Sequence, residues 1–276
     1  FMDCKNLDPQ LKALFCFGDQ QIFLPHVYRW CRRRRIPFAA YVGTAHSLDS
    51  NFKSKVMNAL FAAGTLRIYK KNPVLAKTSA AKEELRQLGI PHAVIAPVGL
   101  DTAVLKKNIP AVEKMRLRKE HGFEADDVIL CNVSRLSWEK RPLELIDLFL
   151  QVKGKKKFKL IIVGNGPLEE ELNEKIRKNG LEKEVKIYPN VPYEKMWEIY
   201  EMSDYYLNMN KGEIFGMAIM EAVYYKTSVA AIRALGPSVT LKDMKGHKLC
   251  ENDDEMAEWI TGPYPSEKDL QESSEK

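Results

Sequence analysis

Val128-Ile129-Leu130-Cys131-Asn132-Val133, followed by a charged stretch and then by Lys159-Leu160-Ile161-Ile162-Val163, decides the fold. Both runs are short, apolar and rich in β-branched residues, as strands buried on the two faces of a parallel sheet must be. Between them Lys140 to Gln151 carries apolar residues at helical spacing, so the pair reads as a strand, a crossover helix and a parallel strand. The alternation continues. Pro167 to Lys178 predicts a helix, Val185 to Tyr188 a strand, Tyr193 to Met202 a helix, and Tyr205 to Asn208 a strand. Phe215 to Tyr225 is then a helix and Ser228 to Ile232 a strand. Upstream, Ala39 to Val42 and Ala93 to Ile95 read as strands, with a helix from Ser79 to Leu88, while Lys106 to Lys119 reads as a polar connecting segment. The class is α/β, with two doubly wound units meeting near Leu100 to Pro110. Ligands of such folds bind outside the carboxyl ends of the strands.

The 276 residues, 45% hydrophobic and 29% charged, can bury a real core, which excludes a disordered or collagen-like chain. No stretch has the roughly 18 to 20 uninterrupted apolar residues of a membrane-spanning helix, and no secretory signal opens the chain. Five scattered cysteines without a CxxC pair, and five histidines without metal-ligand spacing, suggest neither a disulfide framework nor a metal site. A cytoplasmic location fits. The chain begins at Phe1, which reads as the edge of something longer.

The net charge of +6 is unevenly placed: Phe1 to Pro110 holds 17 Lys and Arg against 7 Asp and Glu, and the remainder 26 against 30. The densest part is Tyr28-Arg29-Trp30-Cys31-Arg32-Arg33-Arg34-Arg35. It suits a solvated helix end, where cations oppose the negative pole of the macrodipole. Equally, Arg32, Arg33, Arg34 and Arg35 suit a patch that attracts anionic lipid headgroups at the inner face of a membrane. No zinc finger, RNP or helix-turn-helix signature points to nucleic acid.

Three segments at strand ends could carry chemistry. Val163-Gly164-Asn165-Gly166-Pro167 runs from a strand through glycines into a helix, which suits either a phosphate approaching helix N–H groups or a plain tight turn. It lacks the third glycine of a dinucleotide fingerprint and the P-loop lysine. Asn132 to Pro142 places Arg135 just past a strand and Lys140 at the start of a helix, where a cation asks for a compensating anion. A solvated pair and a diphosphate clamp both answer that description. Lys211-Gly212-Glu213-Ile214-Phe215-Gly216-Met217-Ala218-Ile219-Met220-Glu221 sets a carboxylate before a helix and another within its apolar run. Glu221 among such neighbours is costly unless it meets hydrogen-bond donors, such as sugar or ribose hydroxyls. Two surface glutamates on an amphipathic helix are the alternative.

These residues resemble the donor-site motifs of the family-four retaining glycosyltransferases of GT-B fold, which have two Rossmann-like domains. The most specific mark is the Glu213/Glu221 pair with seven residues between. Ala93-Val94-Ile95-Ala96-Pro97-Val98-Gly99-Leu100-Asp101 is similar to the family's inter-domain segment, Val74 to Ile90 to the helix before it, and Tyr41-Val42-Gly43-Thr44-Ala45-His46 to the strand ending in its active-site histidine. The resemblance spans about Ile36 to Leu249. It implies a partial acceptor-side domain over 1–107 and a donor-binding domain over 108–276. It also implies a hexosyltransferase-type enzyme that moves a sugar, with retention, from a nucleotide-sugar to a glycan or lipid-linked hydroxyl. No cofactor or metal is implied; the nucleotide-sugar is a co-substrate. Arg135 and Lys140 would hold the diphosphate beside Gly164 and the N–H groups of Phe215, Gly216 and Met217. Glu213 would meet hydroxyls of the transferred sugar, Glu221 the ribose, and Val191 the base through its backbone. His46 would face the donor sugar, although a lone histidine at a strand end is also a common core residue.

Departures accompany the match. Tyr225-Lys226-Thr227-Ser228-Val229 lacks the family's glycine, Gly236-Pro237-Ser238-Val239 lacks its later acid, and no Gly-rich loop precedes Ile36. Two other functions stay open in the sequence: a catalytically silent nucleotide-sugar-binding module, and a scaffold whose basic first third docks on a membrane or acidic glycan.

Overall fold

The computed structural model of the chain describes residues 7–8, 10–17, 23–44, 52–103, 105–106 and 109–276. It divides into two compact units, Phe1–Val98 and Gly99–Lys276.

The first unit is a four-stranded parallel sheet in the order β1-β2-β3-β4, formed by Leu14–Phe17, Phe38–Val42, Val74–Ala76 and Val94–Ile95. Helix α1, Leu24–Arg34, turns Leu24, Val27 and Cys31 into a core shared with Val42, Val74 and Leu85. Its last turn carries Arg32, Arg33 and Arg34, and Arg35 caps it in the left-handed region (φ 58°). The cations thus lie where the helix dipole favours them, and the Arg34 guanidinium sits 4.6 Å from the Trp30 ring centre. Helices α2 (Phe52–Leu60) and α3 (Leu66–Tyr69) flank a π-helical turn at Phe61–Thr65. The helix expected from Ser79 to Leu88 is α4, Ser79–Gln87, and the longer span Val74 to Ile90 that resembles the family's helix segment begins instead with β3. Thr78 caps α4 by accepting from the Ala81 N–H at 3.0 Å, and a three-residue strand is too short to show a period.

The second unit opens with α5 (Ala111–Glu120), a helix where a polar connection is expected. Glu113 and Glu120 both pair with Arg116, so ion pairs along its exposed side do what an apolar stripe does elsewhere. Six strands follow: β5 (Val128–Val133), β6 (Phe158–Val163), β7 (Val185–Tyr188), β8 (Tyr205–Asn208), β9 (Ser228–Ile232) and β10 (Lys248–Cys250). All pairs are parallel, in the order β10-β9-β8-β5-β6-β7. Alternate residues serve opposite faces. Leu130, Leu160, Ile162 and Leu207 enter one core, while Ile129, Cys131, Ile161, Val163 and Tyr206 enter the other. Such two-sided burial explains the unbroken apolar runs.

Helices α6 (Pro142–Val152), α7 (Glu169–Lys178), α8 (Met196–Met202), α9 (Met217–Tyr224), α10 (Leu235–Thr240), α11 (Asp253–Thr261) and α12 (Glu267–Ser274) complete the unit. Four begin later than expected, α7 at Glu169 rather than Pro167 among them. The helix expected from Lys140 is a 3-10 turn at Trp138–Lys140, then Arg141 at φ 55°, then α6. Pro142 excludes the right-handed helical region for the residue before it and suits the first helical position itself. Tyr193–Lys195 is likewise a 3-10 turn before α8, and Gly216 at φ 86° delays α9 to Met217. Among the described residues no helix is long and apolar enough to cross a membrane.

Candidate functional site

Strand β5 has β6 on one side and β8 on the other, so the chain changes direction across the sheet between β5 and β8. A crevice at the carboxyl edge is expected there. Asn132, 2% exposed, bridges the two strands: its amide donates to the Leu207 carbonyl at 2.7 Å and its carbonyl accepts from Ser134 Oγ at 2.9 Å. Beyond it the chain carries Arg135 and Lys140 over the edge.

The Gly164 turn has a steric reason for glycine. A Cβ on Gly164, at φ 136°, would lie 2.0 Å from the Ser134 carbonyl oxygen, so the two loops can touch only without a side chain there. The Ser134 N–H donates to the Val163 carbonyl and the Leu136 N–H to that of Asn165. Asn165 in turn donates to the Pro189 carbonyl, which fixes the loop before Val191. Gly164 therefore supports the Arg135 loop on one side and the Val191 loop on the other. Arg135 is exposed and forms no ion pair among the described residues.

On the β8 side, Asn208 Oδ1 accepts from the Asn210 N–H, and Asn210 Oδ1 from the Gly212 N–H. These successive side-chain turns shape the loop that presents Glu213. Lys140 Nζ then lies 2.9 Å from Glu213 Oε2, and Asn210 Nδ2 donates to the same oxygen at 3.1 Å. The anion that Lys140 asks for is supplied within the chain. Burial pushes the Glu213 carboxyl up, but Lys140, Asn210 and Asn208 outweigh it and hold the group below the ordinary carboxylate range. Gly236 completes the mounting. Its N–H donates to the Glu213 carbonyl at 2.8 Å, and a Cβ there would meet Phe215 N at 2.5 Å.

Past Gly216, α9 starts with no side-chain cap on its first N–H groups. Glu221, one turn further, is 9% exposed. Its Oε2 accepts the Tyr200 hydroxyl at 2.7 Å. Burial raises its pKa, and bonds from Tyr200 and Tyr193 oppose the rise. The surface-glutamate alternative does not describe either carboxylate. Asn132, Asn208, Asn210, Gly236 and Tyr200 take no part in the sequence expectations. The asparagines at strand ends are the one signal that could have found them. His46 lies outside the described residues.

Residues 113–270, which hold Arg135, Lys140, Glu213 and Glu221, match the profile of the glycosyl transferases group 1 family. The chain belongs to that family. An uncharacterized glycosyltransferase of Methanocaldococcus jannaschii is 23% identical over 231 residues, covering 79% of this chain and 59% of that protein. The alpha-monoglucosyldiacylglycerol synthase of Streptococcus pneumoniae is 24% identical over 139 residues, covering 50% and 32%. The chain thus spans from about a third to three-fifths of the length of these curated relatives. Among solved structures, Anabaena HepE in complex with UDP and glucose superposes with a TM-score of 0.71 at 19% identity, covering 90% of this chain and 67% of that one. The same protein is also solved with UDP-glucose. The glycosyl transferase fold of this chain is GT-B, α/β with two parallel sheets.

Proposed function

We propose that the second unit binds a nucleotide-sugar donor and that the protein transfers its sugar to a hydroxyl acceptor with retention at the anomeric carbon. The observation that carries this is the pair of carboxylates, partly buried Glu213 and buried Glu221, flanking the uncapped start of α9 at the switch point. The 3-10 turn mounts Lys140 beside Glu213, and exposed Arg135 stands at the same edge. In this reading Arg135, Lys140 and the N–H groups of Phe215, Gly216 and Met217 take the diphosphate, whose negative charge grows as the glycosidic bond breaks. One such preorganised donor lowers the barrier by on the order of 3 kcal/mol. Lys140 exchanges its bond to Glu213 for one shared with phosphate, which frees Glu213 for hydroxyls of a transferred hexose. Glu221 takes the ribose and the backbone at Val191 the base.

The acceptor is a glycan or a lipid-linked sugar. Arg32, Arg33, Arg34 and Arg35 are all exposed and form no ion pair among the described residues, which supports contact with an anionic membrane surface. Incubation with UDP-, GDP- and ADP-hexoses tests the reading, scored for binding and for slow hydrolysis of the donor. One of the three is expected to bind and turn over; if none binds, the proposal fails.

A further inference from the structure

Tyr200 belongs to no motif, yet it is fixed on several sides. It is 1% exposed in α8, its ring stacks on Tyr225 at 10° with centroids 5.8 Å apart, and Tyr206 lies against it at 6.2 Å. Its carbonyl accepts from Thr227 Oγ1 at 2.9 Å, which ties it to the strand that follows α9. A phenol fixed on so many sides cannot follow a mobile partner. Its hydroxyl reaches Glu221 Oε2 at 2.7 Å, so the carboxylate is the group whose direction is set. Glu221 also lines a cavity of about 140 Å³ with Tyr193, Trp197 and Lys106, the last lying over the Trp197 ring at 3.3 Å.

We propose that Tyr200 is a positioning residue whose hydroxyl anchors one oxygen of Glu221, aiming the other at a vicinal diol, so that the pair selects ribonucleotides over nucleotides lacking the 2′ and 3′ hydroxyls. The inference rests on the donor reading above. A carboxylate accepts from two hydroxyls best when its plane is fixed and its charge kept, and a donor bonded to one oxygen secures both. The titratable and charged groups around Glu221 are Tyr200 from α8, Tyr193, Glu194 and Lys106 at the cavity, Tyr206 from β8, and Tyr225 at the end of its own helix. Only Tyr200 and Tyr193 bear on it through hydrogen bonds.

The test is Tyr200→Phe in the full chain, which removes one oxygen and keeps the stack. Two readouts are needed. First, carboxyl NMR of glutamate-labelled ligand-free protein, with the Glu221 signal assigned through Glu221→Gln, should show Glu221 titrating at higher pH in the variant. Second, calorimetry with uridine, guanosine and adenosine diphosphates and their 2′,3′-dideoxy forms should show the preferred ribonucleotide weakened about tenfold and its dideoxy form unchanged. Tyr225→Phe, which also keeps the stack but removes a hydroxyl that is not bonded to Glu221, should move neither readout. An unchanged titration with an unchanged ribo-to-dideoxy ratio in Tyr200→Phe overturns the proposal. If wild-type protein binds none of the diphosphates, the donor reading and the diol claim fall together, while the titration still decides whether Tyr200 governs Glu221.

Discussion

Lys140 Nζ and Glu213 Oε2, brought together from opposite sides of the β5/β8 junction, lie 2.9 Å apart with both side chains largely buried. The contact closes the crevice edge and couples the two groups that the sequence motifs assign to phosphate and sugar. Removing the cation leaves a buried carboxylate supported only by asparagine.

Lys140→Met should therefore lower stability by about 2 kcal/mol at neutral pH, less than for a fully buried pair because some water reaches this one. Glu213 has a folded pKa below its ordinary 4.5, so its contribution is present in full above that value and is lost as pH falls through the folded value. Urea unfolding at pH 7 and pH 4 should show the gap between wild type and variant shrinking at the lower pH. A constant gap would mean that charge is not what the pair contributes.

Gly164→Ala should cost about 3 kcal/mol or more, since its Cβ would meet the Ser134 carbonyl at 2.0 Å and backbone must move. Gly154→Ala is the control. It also has positive φ, 90°, but open space around it, so it should cost only about 1 kcal/mol. Thermal unfolding compares the two, and similar losses would show that φ, rather than the packing of the Arg135 loop, makes Gly164 necessary.

Asp204 accepts from Lys114 at 2.9 Å, from Arg118 at 2.7 Å and from the Ile129 N–H at 2.8 Å. Arg118 also donates to the carbonyls of Met202 and Asp127. This buried network docks α5 on the sheet. Asp204→Asn should cost about 3 kcal/mol and speed amide exchange in α5 before the rest of the unit. Uniform exchange across the unit would place the network inside the global folding transition instead.

His247 accepts the Val229 N–H on Nδ1 at 3.0 Å, which requires the neutral ring, and burial lowers its pKa from 6.5 to about 4. The unfolded chain takes up this proton first as pH falls, so stability is full above 6.5 and erodes between 6.5 and 4, by roughly 3 kcal/mol in all. His247→Asn, which can still accept from Val229, should flatten the profile in that window. An unchanged slope would assign the acid loss to other groups.

What was legible in the chain follows from how each residue is fixed. Strands such as β5, β6 and β8, buried on both faces, are unbroken apolar runs, and the Glu213/Glu221 spacing is local and readable. The left-handed Arg141 before Pro142, and the caps Asn252 and Ser266 that start α11 and α12, are local too, but hydrophobic periodicity does not mark them. Lys226 takes a left-handed turn at φ 58° in the glycine-free run Tyr225 to Val229. Contacts across the sheet were not legible. Tyr200 looks like any core aromatic at helical spacing, and only the fold brings it to a carboxylate 21 residues away. Gly236 likewise owes its role to the backbone of the Glu213 loop, which sequence proximity does not reveal.

The most direct measurement is calorimetric titration of wild-type protein, Arg135→Ala and Glu221→Gln with UDP, GDP and ADP at fixed ionic strength. The account requires one diphosphate to bind the wild type, with affinity falling at least tenfold in each variant, since each removes a charged contact to a different part of the nucleotide. Equal binding to all three proteins, or to none, would contradict it.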